Sequence, residues 1–305
     1  MNYITPPPHV TLILVAHNSA AFVAKALDSV KSQTYPAEAI NTVVVDNASQ
    51  DDTVRLIHET YPWATLIPET INHGFARGNN LAMRCHPADY FALVNADVVL
   101  HPDWLANIIR VLEADASIGV AGSKIFYGNR VLLQHTGGMF RENALTYHLG
   151  VNEFDIGQYD AQCDIDYAMG AAFVTRGGLA RSLNYLPEAY FMYYEEAEYC
   201  VRVRRAGHRV VYVPTAIAYH DEKYSQSGKG ASWRFLSLYH RARYLFVLRT
   251  MNTPEERQQF CRAEREWLRR YARGGHYQIL LLQSLLANWA QLKANPWLLR
   301  AWSPF

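Results

Sequence analysis

The sequence predicts an α/β fold built on a largely parallel sheet, with a helical segment near its C-terminal end. Two observations carry this prediction. Across residues 10–125, runs of β-branched and aliphatic residues alternate with segments whose apolar residues recur at helical spacing. This alternation is typical of right-handed βαβ units. Polar residues follow the apolar runs at their C-terminal ends, which is where open parallel sheets bind ligands.

The composition limits the classes of function. The chain has 305 residues, of which 50% are hydrophobic, enough for one large domain with an appended helical part. Because 29 basic residues face 28 acidic ones, we expect no nucleic-acid partner. Four widely spaced cysteines without a CxxC pair indicate free thiols and a cytoplasmic location. Residues 1–9 do not resemble a signal peptide, and no apolar run is long enough to span a membrane, so we expect no bilayer crossing.

The first two strand–helix units each end their strand in polar residues. Val10–Ala16 has the continuous apolar pattern of a strand buried on both faces, and His17 and Asn18 follow it. Ile40–Val45 is a second apolar run, and Asp46 stands at its end. Because parallel strands end at one edge of a sheet, these polar residues are predicted to be neighbours.

A glycine-containing turn follows the third predicted strand, Ala64–Pro68. Residues 72–80, NHGFARGNN, are predicted to form this turn and to run into a helix at Leu81. Glycine allows a ligand to approach the backbone closely. The turn matches neither the dinucleotide-binding GxGxxG pattern nor the phosphate-binding GxxxxGK[ST] pattern, so neither site is supported.

The fourth predicted strand delivers Asn95, Ala96 and Asp97 to the same edge of the sheet. An aspartate at such a strand end is placed to meet a cation or a phosphate-bearing ligand. Taken alone, the stretch is equally well explained by turn-forming residues that close a strand. Four polar strand ends on one edge favour a nucleotide site over four unrelated turns.

The second half of the chain contains a cluster of carboxylates. Shorter predicted strands follow residue 118, and Tyr167–Thr175 is predicted to be buried. In the segment YFMYYEEAEYCVR, aromatic residues precede Glu195, Glu196 and Glu198. One hypothesis is a general base whose pKa is raised by the aromatic wall and the neighbouring acids. The alternative is a helix start whose acidic residues favour the helix dipole.

Residues 210–213 are predicted to form a further short strand, and Ile217, Ala218 and Tyr219 lead to His220, which opens a polar loop. A lone histidine is more often structural than a metal ligand, and beside Asp97 both interpretations stay open. From Trp233 onward the chain is predicted to be helical, with arginines among aromatic residues and leucines. Residues 276–302 fit either a helix in a membrane interface or helices packed on the core or on a partner subunit, including a second copy.

The ordered motifs carry a family resemblance. VTLILVAHN, VVDNASQDDT, NHGFARGNN, LVNADV, MGAAFVTR, YYEEAEYCVRVRRAG and the late His220 together resemble glycosyltransferase family 2, in particular its rhamnosyltransferase-like branch. The resemblance covers roughly residues 10–250. It implies a GT-A fold over residues 1–250, a Rossmann-like nucleotide-binding sheet flanked by helices. The donor half would be about 10–125, the acceptor half about 126–250, and residues 251–305 a helical extension.

The resemblance also implies an inverting transfer from a nucleotide-sugar donor with a divalent cation, Mg²⁺ or Mn²⁺. The metal ligands would be Asp97 and His220, the base Glu196 with Glu195 beside it, and the base-contacting aspartate Asp46. Acceptor-side or supporting residues would be Glu198, Gly170 and Arg202. The donor-binding set implied in this way is Ala16, His17, Asn18, Asp46, Asn72, Gly74, Arg77, Asn79 and Asn95.

Two stretches depart from the family pattern. The family usually has Glu-Asp-x-Asp where this chain has Glu195-Glu196-Ala197-Glu198, and a misplacement of about 1 Å can cost roughly a hundredfold in rate. The other stretch is Arg243-Tyr244, where the family normally has Arg-Asn.

The leading hypothesis is a transferase that moves a sugar, best L-rhamnose from dTDP-L-rhamnose, onto a saccharide or lipid-linked saccharide in surface polysaccharide synthesis. It would work in the cytoplasm, with peripheral contact at the inner face of the cell membrane as an option for the C-terminal helices. A second hypothesis is a non-catalytic nucleotide-sugar or glycan binder that kept the fold. A nucleotidyltransferase is disfavoured because no glycine-rich, basic loop follows the first strand.

Overall fold

The computed structural model describes residues 6–221, 232–271 and 275–301, and it has the α/β architecture that the sequence predicts. The strands, numbered in chain order, are β1 (Val10–Ala16), β2 (Ile40–Asn47), β3 (Thr65–Glu69), β4 (Tyr90–Asn95), β5 (Val98–Leu100), β6 (Ile118–Tyr127), β7 (Leu133–His135), β8 (Gly138–Phe140), β9 (Thr146–His148), β10 (Cys163–Asp164), β11 (Ala172–Arg176) and β12 (Arg209–His220). The helices are α1 (Val23–Lys31), α2 (Thr53–Thr60), α3 (Phe75–Cys85), α4 (Trp104–Ala114), α5 (Gly177–Ser182), α6 (Glu195–Arg205), α7 (Trp233–Thr250), α8 (Pro254–Tyr271), α9 (Gly275–Leu286) and α10 (Trp289–Ala294).

Ten of these strands form one mixed sheet. Its order is β10-β12-β6-β11-β4-β1-β2-β3, with β5 paired to β12 and β7 paired to β6. Strands β4, β1, β2 and β3 are parallel neighbours, and β11 runs antiparallel between β4 and β6. The parallel strands bury mainly aliphatic side chains, with Thr11 on β1 and Thr42 on β2 among the buried polar exceptions. Strands β8 and β9 form a separate two-stranded sheet.

The register of the parallel strands explains why polar residues meet at one edge. Ala16, the last residue of β1, pairs with Asp46 on β2, and Val15 pairs with Asn95, the last residue of β4. The three strands therefore end at the same level. The side chains that follow these ends share one edge of the sheet, as the sequence predicts.

Three element boundaries differ from those that the sequence predicts. Helix α3 begins at Phe75, so most of the predicted glycine turn is the first part of a helix. Strand β11 covers only the end of the predicted buried segment. The short strand predicted at residues 210–213 is part of a longer strand, β12, which continues to His220 and has an irregular register between Val213 and Ile217. The polar loop predicted after His220 lies outside the described residues.

The described chain clusters into two compact units. The first contains residues 6–138, 148–191 and 195–221, and therefore the ten-stranded sheet. The second contains residues 139–147, 192–194, 232–271 and 275–301, and therefore helices α7 to α10. Helix α7 ends at residue 250 but clusters with the helices that follow it. The proposed domain division at residue 250 stays a prediction.

A buried ion pair holds the second unit together. The guanidinium of Arg243, on α7, donates two hydrogen bonds to the carboxylate of Glu264, on α8, at 2.8 and 2.7 Å. Tyr244 and Asn143 donate to the same carboxylate. Both charged side chains are fully buried. Removing one partner would leave an uncompensated buried charge, so the Arg243-Tyr244 departure from the family pattern has a structural role here.

Among residues 6–221, 232–271 and 275–301, no helix combines the length and the apolar character needed to cross a bilayer.

Candidate active site

The loops after β1 and β2 are tied to each other at the edge of the sheet. A ring nitrogen of His17, Nδ1, lies 2.8 Å from the backbone carbonyl oxygen of Asn47. The backbone N–H of Asn18 donates to the hydroxyl of Ser49, and the Asn18 side-chain oxygen accepts from the backbone N–H of Gln50, both at 2.8 Å. Asn18 has a φ of +51°, a conformation that asparagine tolerates better than most residues. These bonds hold the loops after β1 and β2 together.

Asp46, near the end of β2, has a buried carboxylate oxygen without a hydrogen-bond partner in the described part of the chain. Its side chain is 1% exposed. One carboxylate oxygen accepts from the backbone N–H of Ser49 at 2.9 Å, and the other has no hydrogen-bond partner within the described residues. A buried acceptor without a donor is costly unless a ligand supplies one. Asp46 is therefore suited to accept a hydrogen bond from a bound N–H group.

Gly74 forms a corner that no other residue could occupy. Its φ is +82°, and a Cβ atom there would lie 2.1 Å from the carbonyl oxygen of Phe191. The Gly74 backbone is fixed on both sides, because its N–H donates to the side chain of Asn72 at 2.9 Å and its carbonyl accepts from the side chain of Asn47 at 3.0 Å. The close neighbour at this glycine is the backbone of Phe191, and the approach of a ligand to it stays a prediction.

Helix α3 begins at this corner and points its N-terminus toward it. Arg77, in its first turns, is exposed, whereas Asn79 is buried and donates to the carbonyl of Phe75 at 3.0 Å. A Cβ at Gly78 would lie 2.9 Å from Val15, so this glycine allows α3 to pack tightly on β1. A helix N-terminus next to a glycine corner favours an anionic group such as a diphosphate.

Asp97 and His220 come together because β5 pairs with β12. His220 is opposite Val98 in that pairing, which places it beside Asp97. The Nε2 atom of His220 lies 3.2 Å from Oδ1 of Asp97. About a third of the Asp97 side chain is exposed, at 34%, and the His220 side chain is buried. The backbone carbonyl of Asp97 also accepts from the N–H of Asp221 at 2.9 Å.

Glu195 and Glu196 form a pair of desolvated carboxyl groups at the start of α6. Burial is the main cause that raises the pKa of Glu196 to about 7, against which backbone N–H groups of Glu196, Gly170 and Ala197 act. Burial and the neighbouring charge of Glu196 raise the pKa of Glu195 well above its usual value. Each side chain has one oxygen without a partner in the described part of the chain. A carboxyl that titrates near neutrality is suited to general base chemistry.

The segment before β11 links this carboxyl pair to the end of β4. The backbone N–H of Gly170 supports the Glu196 carboxylate, and the carbonyl of Ala171 accepts from the N–H of half-buried Asn95 at 2.9 Å. A Cβ at Gly170 would lie 3.4 Å from the ring of Phe75 and 3.6 Å from the Glu196 carboxyl carbon. Gly170 and Ala171 therefore lie next to the end of β4, the Glu196 carboxyl group and the start of α3.

Glu198 and Arg202 bind each other on α6. Arg202 donates to the buried carboxylate of Glu198 one turn away on α6, and the hydroxyl of Tyr190 donates to the same carboxylate at 2.6 Å. Both Glu198 oxygens are therefore engaged. The prediction that this pair has an acceptor-side or supporting function stays a prediction.

Comparison with known proteins identifies the family. Residues 11–169 match the sequence model of the family described as Glycosyl transferase family 2. The chain belongs to glycosyl transferase family 2.

The chain covers very different shares of the lengths of its relatives. It is 26% identical to rhamnosyltransferase WbbL of Escherichia coli over 266 residues, which is 77% of this chain and 92% of WbbL. It is 29% identical to an uncharacterized glycosyltransferase of Haemophilus influenzae over 119 residues, 38% of this chain and only 36% of that relative. The fold is similar to that of the mannosyltransferase PcManGT from Pyrobaculum calidifontis in complex with GDP-Man and Mn²⁺, with a TM-score of 0.59, 20% identity and coverage of 95% of this chain and 76% of that one.

The residues of the family 2 chain fit a divalent cation at Asp97 and His220. Two ligands at right angles on an octahedral cation, each about 2.1 Å from it, lie about 3.0 Å apart, close to the observed 3.2 Å between Oδ1 and Nε2. A carboxylate and an imidazole are ligands that Mn²⁺ accepts. No cluster of three or more histidine, cysteine, aspartate or glutamate side chains suited to a metal occurs among residues 6–221, 232–271 and 275–301. The remaining ligands would therefore come from the phosphates of the donor and from water.

Three residues contribute to this site although the sequence assigns them no role in it. They are Ala171, whose carbonyl fixes Asn95, Phe191, whose carbonyl meets Gly74, and Gln134, whose side chain contacts His220. Ala171 and Phe191 act through backbone carbonyl groups, so their residue types do not indicate this role. Gln134 lies in a stretch of short strands that has no motif.

Proposed function

We propose that this family 2 chain is an inverting glycosyltransferase that uses a nucleotide-sugar donor and a divalent cation. Its acceptor is a saccharide or a lipid-linked saccharide. The observation that carries the proposal is the environment of Glu196, a desolvated carboxyl whose pKa is near 7 and whose supporting segment also contacts the strand end that leads to Asp97.

The proposed reaction is a single displacement at the anomeric carbon. Glu196 accepts the proton of the acceptor hydroxyl as that oxygen forms its bond to the anomeric carbon. The bond from this carbon to the diphosphate oxygen breaks on the opposite face, so the configuration inverts. Asp97 and His220 would hold a divalent cation, which would supply charge neutralisation for the leaving diphosphate.

The donor nucleotide would lie along the edge formed by β1, β2 and β4. The unpaired oxygen of Asp46 would accept a hydrogen bond from the nucleotide base. The corner at Gly74 and the N-terminus of α3 would face the diphosphate, with exposed Arg77 adding positive charge there. Asn72 and Asn47 hold the corner in place.

We propose dTDP-L-rhamnose as the donor and surface polysaccharide synthesis as the setting. The support is similarity to rhamnosyltransferase WbbL over 92% of that protein's length. At 26% identity, donor choice needs its own measurement.

A donor panel tests the proposal directly. The purified chain would be incubated with dTDP-L-rhamnose, UDP-sugars and GDP-mannose, each with Mn²⁺ or Mg²⁺, and release of nucleoside diphosphate would be measured. We expect turnover with one nucleotide class, loss of metal-dependent turnover in Asp97→Ala, and a decrease of about 10²–10⁴-fold in Glu196→Gln. Glu59→Gln, an exposed change on α2, is the matched control. Folded protein that turns over no donor would refute the proposal.

A non-catalytic nucleotide-sugar binder is the second candidate. Glutamates occupy both positions at which the family pattern has aspartates, Glu196 and Glu198, and the longer side chain changes the position of the carboxyl. Calorimetry would then show donor binding, while Glu196→Gln would leave any residual turnover unchanged.

We also propose that α9 contacts a membrane surface. It buries Leu280, Leu281 and Leu285 within the second unit and leaves Ile279, Leu282 and Leu286 exposed. The exposed residues are three and four positions apart and therefore lie on one face of the helix.

A further inference from the structure

The side chain of His220 has a defined partner on the side away from Asp97. Its Nδ1 atom lies 3.0 Å from Oε1 of Gln134, and its Nε2 atom lies 3.2 Å from Asp97. Both Gln134 and His220 are buried, at 3% and 5% exposure. The two ring nitrogens thus face two different oxygen atoms.

The backbone turns Gln134 toward this contact through a β-bulge. In the pairing of β7 with β6, Leu133 is opposite Phe126 and His135 is opposite Ile125, so Gln134 is the extra residue between two consecutive partners. Bulges redirect a side chain and occur preferentially beside functional sites. His220 is on β12, the neighbour of β6 on its other side.

We infer that Gln134 is a positioning residue that fixes the tautomer of His220 and so prepares its Nε2 lone pair for the cation. The inference rests on the proposed function. In the structure, Oε1 of Gln134 faces Nδ1 of His220. A carboxamide oxygen only accepts a hydrogen bond, so in this orientation of the amide Nδ1 carries the proton and Nε2 presents its lone pair toward Asp97. Two electron-rich atoms that face each other across 3.2 Å form a site for a cation.

The opposite arrangement would exclude the cation. If the amide of Gln134 donated to Nδ1, then Nε2 would carry the proton and donate it to Asp97, so that no lone pair on the ring would be free for a metal. Outer hydrogen bonds of this kind set the tautomer of metal-binding histidines, and their loss typically costs about 10–100-fold in metal affinity. The tautomer of His220 therefore decides between the two arrangements.

The first test needs neither metal nor turnover. Long-range ¹H–¹⁵N correlation spectra of metal-free, ¹⁵N-labelled protein at pH 8 would be recorded, and the His220 signals identified by their absence in His220→Ala. We expect the proton on Nδ1 and the lone pair on Nε2. A proton on Nε2 would overturn the inference, whatever the enzyme turns over.

The second test measures Mn²⁺ binding by electron paramagnetic resonance in the presence of dTDP, UDP or GDP. Gln134→Met keeps the length of the side chain but removes the acceptor, and we expect about 10–100-fold weaker Mn²⁺ binding together with a mixture of His220 tautomers. Gln134→Glu restores an acceptor and should restore most of the affinity. Gln33→Met is the matched control, since it removes hydrogen bonds to Ser29 and His101 within the same unit.

The outcomes separate the inference from the proposed function. Unchanged Mn²⁺ affinity in a folded Gln134→Met protein would overturn the inference even where sugar transfer is observed. An Nδ1 proton and weakened Mn²⁺ binding in the variant, without turnover of any donor, would support the inference and count against transfer. Wild-type protein that binds no Mn²⁺ with any nucleotide would overturn the role of Gln134 in metal binding.

Discussion

Glu196 combines a catalytic demand with an energetic cost. A base must be ionised at the working pH, yet burial opposes the charge and raises the pKa of Glu196 to about 7. Burial and the neighbouring charge of Glu196 also raise the pKa of Glu195 well above its usual value. Desolvation therefore opposes negative charge on both carboxyl groups.

We predict that kcat/KM rises with pH through about 7, because Glu196 must be deprotonated to act as the base. Glu195→Gln should leave the midpoint of this rise near 7, because burial is the main cause that raises the pKa of Glu196. Initial rates measured from pH 5 to 9 check both statements. A midpoint that falls in Glu195→Gln by a full pH unit or more would show that the charge of Glu195, rather than burial, raises the pKa of Glu196.

The same desolvation predicts a change in stability. The pKa of Glu196 is raised in the folded protein, so folding favours the protonated form, and this contribution is lost as the pH rises from about 4.5 through 7. Glu196→Gln should therefore stabilise the fold at pH 8 by on the order of 2–3 kcal/mol and have little effect at pH 4. Denaturant unfolding at the two pH values measures the difference. Equal effects at both values would contradict a charged, buried Glu196.

At the scale of elements, the corner between β3 and α3 depends on one glycine. We predict that Gly74→Ala destabilises the fold by roughly 1–3 kcal/mol and weakens donor binding, because φ is +82° and the added carbon would clash with the carbonyl of Phe191. Thermal unfolding and nucleotide calorimetry measure the two effects. Gly178→Ala, whose added carbon would have its nearest neighbour at 4.0 Å, is the control and should be close to neutral.

The parts of the site that can be predicted from the sequence are those that depend on the pattern of apolar and polar side chains. Apolar runs followed by Asp46 and by Asn95-Ala96-Asp97 identify strand ends, and parallel strands bring their ends together through register alone. The start of α3 at Phe75 was not predictable, because glycines and asparagines favour a turn by local preference while packing on β1 selects a helix. Gln134 depends on a bulge, and no residue type marks one.

At the scale of the whole molecule, the second unit exposes apolar surface that its own packing does not require. Ile279, Leu282 and Leu286 on α9 are 55%, 43% and 43% exposed, and Trp289 at the start of α10 is 51% exposed. The ammonium group of Lys293 lies 5.5 Å from the centroid of the Trp289 ring. An apolar face with aromatic and basic residues beside it is typical of helices that lie in a membrane interface.

We predict that Ile279→Gln, Leu282→Gln and Leu286→Gln together weaken flotation with anionic phospholipid vesicles by about tenfold or more, because affinity scales with the apolar area that enters the interface. The matched control replaces Val151, Phe154 and Ile156, which are 42%, 64% and 85% exposed in the first unit. Light scattering of both proteins distinguishes lipid from a second copy of the chain. A wild-type dimer that the α9 variant dissociates, with flotation unchanged, would assign this face to self-association and contradict membrane contact.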